Sequence, residues 1–223
     1  MYAEDISETV STVHFGIRKK LYLGIKRLFD IVISLLGIIF LFPFFLIVMI
    51  AIKIDSKGPA IFTQDRIGLN GKLFKFYKFR SMVVGADEIL YEMLDKDTAI
   101  AKEYMENRKL KADPRITRVG NFIRKFSIDE LPQLINVLKG DMSLIGNRPY
   151  LPREKEDMGK YYKEIVISKP GLTGLWQVSG RNNMTFKDRL KIESNYSKNM
   201  SLKLDIKIFF RTFKAVFGNE GAQ

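Results

Sequence analysis

Residues 31–52 run without a single charged side chain, and most of them are Ile, Leu, Val or Phe. As a helix this stretch rises about 33 Å, enough to cross the hydrocarbon core of a bilayer. A chain of 223 residues that carries such a segment has room for one membrane element and one body with its own core. A secretory signal fits poorly, because the run is long and no small-residue cleavage site follows it. Pro43 falls near the middle, where it removes a backbone hydrogen bond and kinks a helix. Positive charge flanks the run on both sides. Arg18, Lys19, Lys20, Lys26 and Arg27 precede it; Lys53, Lys57, Arg66, Lys72, Lys75, Lys78 and Arg80 follow. The positive-inside rule assigns both flanks to the cytoplasm. A kinked helix that enters and leaves by one face satisfies both observations; a transmembrane helix with a tolerated proline is the competing reading. Asp30, at the edge of the run, is expected to pair with Lys26 or Arg27 one turn back.

The formal net charge of +12 points to nucleic acid, anionic lipid or phosphorylated substrates. Side-chain inventory narrows the chemistry. The chain has no cysteine, and its one histidine, His14, lies in a polar N-terminal tail. Cysteine-ligated zinc, thiolate nucleophiles, Ser-His pairs and histidine metal clusters are disfavoured. Catalysis must run on carboxylates, lysines, arginines and a hard, oxygen-ligated metal such as magnesium.

Past the membrane run, Asp55-Ser56-Lys57-Gly58-Pro59 is a turn cluster. Ala60–Gln64 and Lys72–Phe79 read as short strands joined by a turn at Gly68–Gly71. Residues 86–109 look helical and form an excursion that Asp113-Pro114 breaks. Helices are expected over 184–197 and 202–217. In the latter, Lys203, Lys207, Arg211 and Lys214 share one face, and Ile206, Phe209, Phe210, Phe213, Val216 and Phe217 cover much of the rest. Such a helix suits an anionic membrane surface; packing on the domain with a solvated basic side is the alternative.

The densest polar cluster spans Arg115 to Arg148. Ser127-Ile128-Asp129-Glu130 precedes an apolar helix over 131–138. Ser127 with Glu130 fits the S-x-x-E capping box, which on spacing alone is the favoured role of Glu130. Asp129 is harder to account for as a structural residue. Carboxylates at a helix N-terminus sit in a positive field that keeps them ionised, suited to nucleophilic attack and to magnesium. Arg115, Arg118, Arg124, Lys125 and Arg148 add phosphate-pairing capacity, or simply a solvated basic face. Neither GxxxxGK[ST] nor GxGxxG occurs, so a nucleotide would be held by Arg, Lys, metal and other loops.

At these residues the sequence resembles the bacterial sugar transferases, also called monotopic phosphoglycosyl transferases (undecaprenyl-phosphate sugar phosphotransferases). The resemblance runs from about Lys26 to Val216. It is carried by Lys26-Arg27-Leu28-Phe29-Asp30, Gly58-Pro59 with 62–68 (FTQDRIG), 76–82 (FYKFRSM) and 113–120 (DPRITRVG). The longest match is 127–146 (SIDELPQLINVLKGDMSLIG), followed by 169–174 (KPGLTG), 177–182 (QVSGRN) and 201–205 (SLKLD).

The resemblance implies an α+β, mostly helical fold: a re-entrant membrane helix plus a small cytosolic domain with a short β-hairpin and amphipathic interfacial helices. The expected divisions are a polar tail over 1–25, the membrane helix over 26–54 with its kink at Pro43, and the catalytic domain over 55–218. It implies residence in the bacterial inner (cytoplasmic) membrane, the catalytic domain facing the cytoplasm and the lipid bilayer as a partner. Asp129 would attack the sugar-linked phosphorus of a UDP-sugar, expel UMP and pass the sugar phosphate to a polyprenyl phosphate. Glu130 would bind Mg2+, and Lys78, Arg124, Arg148 and Asp205 would line the site, with Arg181 as a further phosphate or nucleotide contact. No nucleic-acid partner is implied. Relatives often carry several transmembrane helices ahead of this domain, so the chain reads as a minimal catalytic form.

Four positions depart from the family pattern. Phe42-Pro43 stands where Ser-Pro is frequent, and Asn147-Arg148-Pro149 where Pro-Arg-Pro is usual. Glu193 replaces a common aspartate, and Trp176-Gln177 a common Ala-Gln. Trp176 is read as an interfacial anchor or as a packing residue. The competing functions are a membrane-tethered nucleic-acid-binding protein, a non-catalytic scaffold with a basic surface, and a conventional glycosyltransferase that releases UDP.

Overall fold

The structure, a computed structural model, describes residues 16–107, 110, 112–180 and 184–217. His14 and Arg181 lie outside these residues. The first element, α1 (Ile17–Asp55), is a helix of 39 residues that carries Pro43 inside it. It starts well before Lys26, so residues 17–25 belong to the helix rather than to a polar tail. The reason is packing: Tyr22 is buried in a cluster with Ile145, Tyr196, Met200 and Ile208, and its hydroxyl donates to Asp205 at 2.8 Å.

The apolar run projects mostly away from the rest of the molecule. Only 17% of its most apolar stretch is buried, and Phe40 remains 79% exposed. An apolar surface of this extent is not tolerated in water and calls for an apolar solvent such as lipid.

Both ends of α1 are nevertheless fastened to the polar body. At the first end, Lys26 Nζ donates to Ile145 O at 2.8 Å and pairs with Asp205 at 2.5 Å. Arg27 donates to Val137 O at 2.6 Å and Leu138 O at 2.8 Å, satisfying carbonyls that a helix leaves unpaired at its C-terminus. Asp30 is buried, but its partners are not the expected Lys26 or Arg27. Its Oδ1 accepts from Ser143 Oγ at 3.0 Å and Leu144 N–H at 2.9 Å, and the two cations are spent elsewhere on the body. At the other end, Asp55 accepts from Val119 N–H at 2.9 Å, and Arg80 donates to Ser56 O at 2.7 Å. Phe45, Val48 and Ile52 of α1 pack with Ala60, Phe79 and Ile123.

The body begins with an antiparallel hairpin of β1 (Ile61–Ile67) and β2 (Leu73–Phe79), paired from Ile61 with Phe79 to Ile67 with Leu73. The first strand runs three residues beyond the expected Gln64, because Asp65, Arg66 and Ile67 continue the ladder. Alternation along β2 divides its labour. Phe79 is buried against Phe45 of α1, with ring centroids 5.5 Å apart, while Phe76 and Lys78 share the opposite face. The helical excursion forms as α2 (Ala86–Lys96) and α3 (Thr98–Asn107).

Next come α4 (Arg118–Lys125), α5 (Gln133–Lys139) and the strand β3 (Ser143–Ile145). The short helices α6 (Lys155–Met158) and α7 (Tyr162–Ile165) lead to β4 (Gly171–Thr173), which pairs in parallel with β3. That second sheet was not legible in sequence: each strand is three residues long and glycines carry the close approach. A Cβ on Gly171 would lie 2.1 Å from Gly146 N. The chain ends in α8 (Phe186–Asn199) and α9 (Leu202–Phe217). On α9 the aromatic Phe210 and Phe213 stay exposed, as do Lys203, Lys207 and Arg211.

Asn136 of α5 ties the hairpin to this frame. It is fully buried, accepts from Tyr77 N–H at 3.1 Å and donates to Lys75 O at 2.7 Å, which fixes the strand beside Lys78. Asn136→Ala leaves two strand groups unpaired; a loss of about 2–4 kcal/mol is expected. Thermal unfolding in detergent measures it, and an unchanged midpoint would show that the hairpin needs no such tie.

Candidate active site

Asp129 and Glu130 lie in a 3-10 turn, Ile128–Glu130, whose helical backbone runs on through Leu131 and Pro132 into α5, so both stand in the first turn of a helical run. The expected capping box does not form, because Ser127 takes a left-handed backbone (φ 54°) and its side chain caps nothing. Glu130 is thereby released from a capping role and turns toward Lys78.

Lys78 reaches across from β2 to both carboxylates, 3.3 Å from Asp129 Oδ2 and 3.0 Å from Glu130 Oε1. Asp129 is the buried member of the pair, its side chain 9% exposed against 37% for Glu130. Burial pushes the Asp129 carboxyl above the ordinary aspartate range, and the neighbouring Glu130 adds to this. Lys78 foremost, with Arg124 of α4, pulls it back toward the charged form. Support for the charged form thus comes in part from a lysine on another element.

Beside the pair opens a shallow cleft lined by Arg66, Phe76, Lys78, Glu130, Gln133 and Arg148, with Pro149, Gly171, Leu172 and Gln177 closing it. Arg66 packs 5.1 Å over the Phe76 ring and donates to Pro149 O at 2.9 Å. Burial and the nearby Arg148 push its guanidinium down to about 10, so it remains charged at neutral pH. The Nε groups of Arg66 and Arg148 and the amide nitrogen of Gln133 are buried without acceptors among the described residues. A wall of charged and unsatisfied donors suits a ligand rich in anionic oxygens.

Behind Arg148 the site is braced by α8. Glu193 is fully buried; its Oε1 accepts from Arg148 N–H at 2.7 Å and its Oε2 from the Tyr150 hydroxyl. Trp176 is buried too, with Arg148 5.7 Å and Arg189 4.4 Å from its ring. That leaves packing, not interfacial anchoring, as its role.

Of the residues singled out in sequence, Glu130, Lys78 and Arg148 line one cleft, and Asp129 lies buried beside it against Lys78, with Arg124 near. Asp205 does not line it: buried, it accepts from Tyr22, Lys26 and Tyr196 and so clamps α1 to α9. Arg115 is likewise occupied, in a buried pair with Asp113 at 2.7 Å. Arg66, Gln133 and Gln177 are not among the residues read from sequence as lining a site, although each lies within a motif that carries the resemblance.

The pair also fits a magnesium site. No group of three or more acidic or histidine residues gathers among the described residues. Magnesium is commonly held by one or two carboxylates together with substrate phosphates and water, and Glu130, the more exposed carboxylate, could serve as that ligand.

Residues 21–219 match the protein family described as Bacterial sugar transferase. A Salmonella typhimurium protein described as undecaprenyl-phosphate galactose phosphotransferase is 49% identical over 89% of this chain and 41% of its own length. A Sinorhizobium fredii exopolysaccharide production protein, ExoY, is 42% identical over 88% of this chain and 87% of its own. An Escherichia coli UDP-glucose:undecaprenyl-phosphate glucose-1-phosphate transferase is 35% identical over 89% of this chain and 41% of its length. The chain thus spans about two fifths of the Salmonella and Escherichia proteins.

Glu193 carries a pH signature. Burial raises its carboxyl from 4.5 to about 7. The folded protein then binds more protons than the unfolded chain between those values, so stability falls as pH rises through that window. The full change amounts to about 3 kcal/mol. Glu193→Gln removes it: relative to the parent, the variant gains stability from pH 5 to pH 8, measured by denaturant titration. A pH-independent difference would place the Glu193 carboxyl in its ordinary range.

Proposed function

This chain belongs to the bacterial sugar transferase family, and we propose that it transfers a sugar 1-phosphate from a UDP-sugar to undecaprenyl or another polyprenyl phosphate, releasing UMP. The observation that carries this reading is the Asp129–Glu130 pair bridged by Lys78 at the mouth of an arginine-lined cleft. Relatives named for galactose and glucose phosphotransfer to undecaprenyl phosphate support the same chemistry.

The residues divide the work as follows. A carboxylate oxygen of Asp129 attacks the phosphorus that bears the sugar. The bond from that phosphorus to the bridging oxygen breaks, and UMP leaves with the electron pair. An oxygen of the polyprenyl phosphate then attacks the aspartyl phosphosugar, forming the polyprenyl diphosphate sugar and restoring the carboxylate. Lys78 and Arg124 keep Asp129 ionised in a buried setting that favours its protonated form. Arg66 and Arg148 offset the repulsion between an anionic nucleophile and an anionic diphosphate. Magnesium, held by Glu130, neutralises phosphate oxygens when bound.

The membrane arrangement follows from α1. A straight helix would set Asp30 and Asp55 about 37 Å apart, yet both are hydrogen-bonded to one body. That supports a re-entrant helix over 26–54 that bends at Pro43, with residues 55–218 at the cytoplasmic face of the inner membrane. Exposed basic and aromatic residues of α9 support contact with the lipid surface.

Asp129→Asn retains shape but not the nucleophile. Incubated with a panel of UDP-sugars, Mg2+ and polyprenyl phosphate, the parent releases UMP and forms a phosphosugar adduct on Asp129 visible by mass spectrometry. The variant does neither. An adduct that persists in the variant assigns the nucleophile elsewhere, and UDP release in place of UMP indicates a conventional glycosyltransferase. Topology is tested on the cysteine-free parent. Single cysteines at Lys20 and Lys57 are both labelled from the cytoplasmic side of oriented vesicles; labelling of one alone makes α1 a span.

A further inference from the structure

Arg148 contributes to the cleft from a segment, 146–149, that leaves β3 and carries no helix or strand of its own. Gly171 N–H meets its backbone at Asn147 O at 2.7 Å, and Arg66 meets it at Pro149 O at 2.9 Å. The N–H of Arg148 itself is met from α8. Glu193 Oε1 accepts the Arg148 backbone N–H at 2.7 Å, and Glu193 Oε2 accepts the hydroxyl of Tyr150, two residues on. One carboxylate therefore grips the segment on both sides of Pro149. The groups facing Glu193 are Tyr150 and Arg148 from this segment and Arg189 from its own helix.

We propose that Glu193 is a positioning residue for donor binding, holding the Arg148 segment so that its guanidinium meets the diphosphate of the UDP-sugar. The proposal rests on the transferase reading given above. It assigns Glu193 no contact with substrate; it acts through Arg148. Its two oxygens are both engaged by donors, which fixes the segment in position and in orientation. An amide at this position retains one acceptor oxygen, but its NH2 confronts a tyrosine hydroxyl that points at it as a donor.

The chain supplies its own reporter, because its single tryptophan is Trp176, which Arg148 overlies at 5.7 Å. The test is a double-mutant cycle on the full chain in nanodiscs, reading UMP release with a UDP-sugar and quenching of Trp176 by UDP. Glu193→Gln is expected to raise the donor KM and weaken UDP binding roughly tenfold, the scale of one charge-assisted hydrogen bond. In an Arg148→Ala background the same substitution changes kcat/KM less than twofold, since the residue it positions is gone. Tyr150→Phe, which keeps the ring and removes only the hydroxyl, moves KM in the same direction by a smaller factor and serves if Glu193→Gln does not fold. Additive effects of Glu193→Gln and Arg148→Ala, or UDP binding unchanged in both Glu193→Gln and Tyr150→Phe, overturn the proposal. A parent that binds UDP but releases no UMP with any donor overturns the transferase reading instead, while the UDP titration still decides the role of Glu193. A parent that neither binds UDP nor releases UMP overturns both.

Discussion

The attachment of both ends of an apolar helix to one polar body is the constraint from which the remaining arrangement follows. Lys26, Arg27 and Asp30 dock the entry of α1 onto α5, β3 and α9, and Asp55 with Ser56 docks its exit onto α4 and the hairpin. None of these contacts is a surface ion pair of the kind that contributes little. Arg27 and Asp30 satisfy backbone groups, and Lys26 meets a buried aspartate that two tyrosines also approach. The middle of α1 meanwhile exposes its apolar side chains, a surface consistent with membrane association. The carboxylate pair is built on elements that α1 itself packs against: Ile128 and Leu131, which flank the pair, pack on the cluster of Phe45, Val48 and Ile52.

Electrostatics at the pair is a contest between desolvation and charge. Asp129 is buried enough that its neutral form gains, and an anionic neighbour one residue away adds to that preference. The counterweight is a lysine brought from β2, some fifty residues earlier in the chain. Its reach depends on the hairpin register and on Asn136, which holds the strand backbone against α5. The charge balance at Asp129 is therefore a property of tertiary packing, set by how closely β2 lies on α5.

A second balance runs through α8. Glu193 is expensive to bury, and the arginines around it only partly offset that cost. In return the segment that carries Arg148 acquires a fixed path, and the Trp176 ring fills the space between Arg148 and Arg189. The departures from the family pattern at Asn147, Trp176 and Glu193 converge on this one region of the molecule. Asn147 donates to Ser197 Oγ of α8 at 2.6 Å, so the residue that stands in place of a proline replaces ring stiffness with a hydrogen bond.

The sequence by itself determined the apolar helix, the hairpin, the two C-terminal helices and the residue types of the site. Each rests on a local signal: an uncharged run, a period of two closed by Gly-rich turns, or a motif with fixed spacing. It could not determine that Asp30 binds strand β3 in place of its neighbours, that Ser127 abandons the capping box, or that Asp205 serves the membrane helix instead of the cleft. Nor did it reveal Arg66 and Gln133 as cleft residues or the three-residue parallel pair. Those outcomes depend on partners distant in the chain, 28 residues away for the parallel pair and more than a hundred for Asp30 and for Asp205 with Tyr22, and only the tertiary structure decides them. Periodicity records which face of an element is apolar; it carries no record of which distant donor meets a buried carboxylate, because that choice is made by packing.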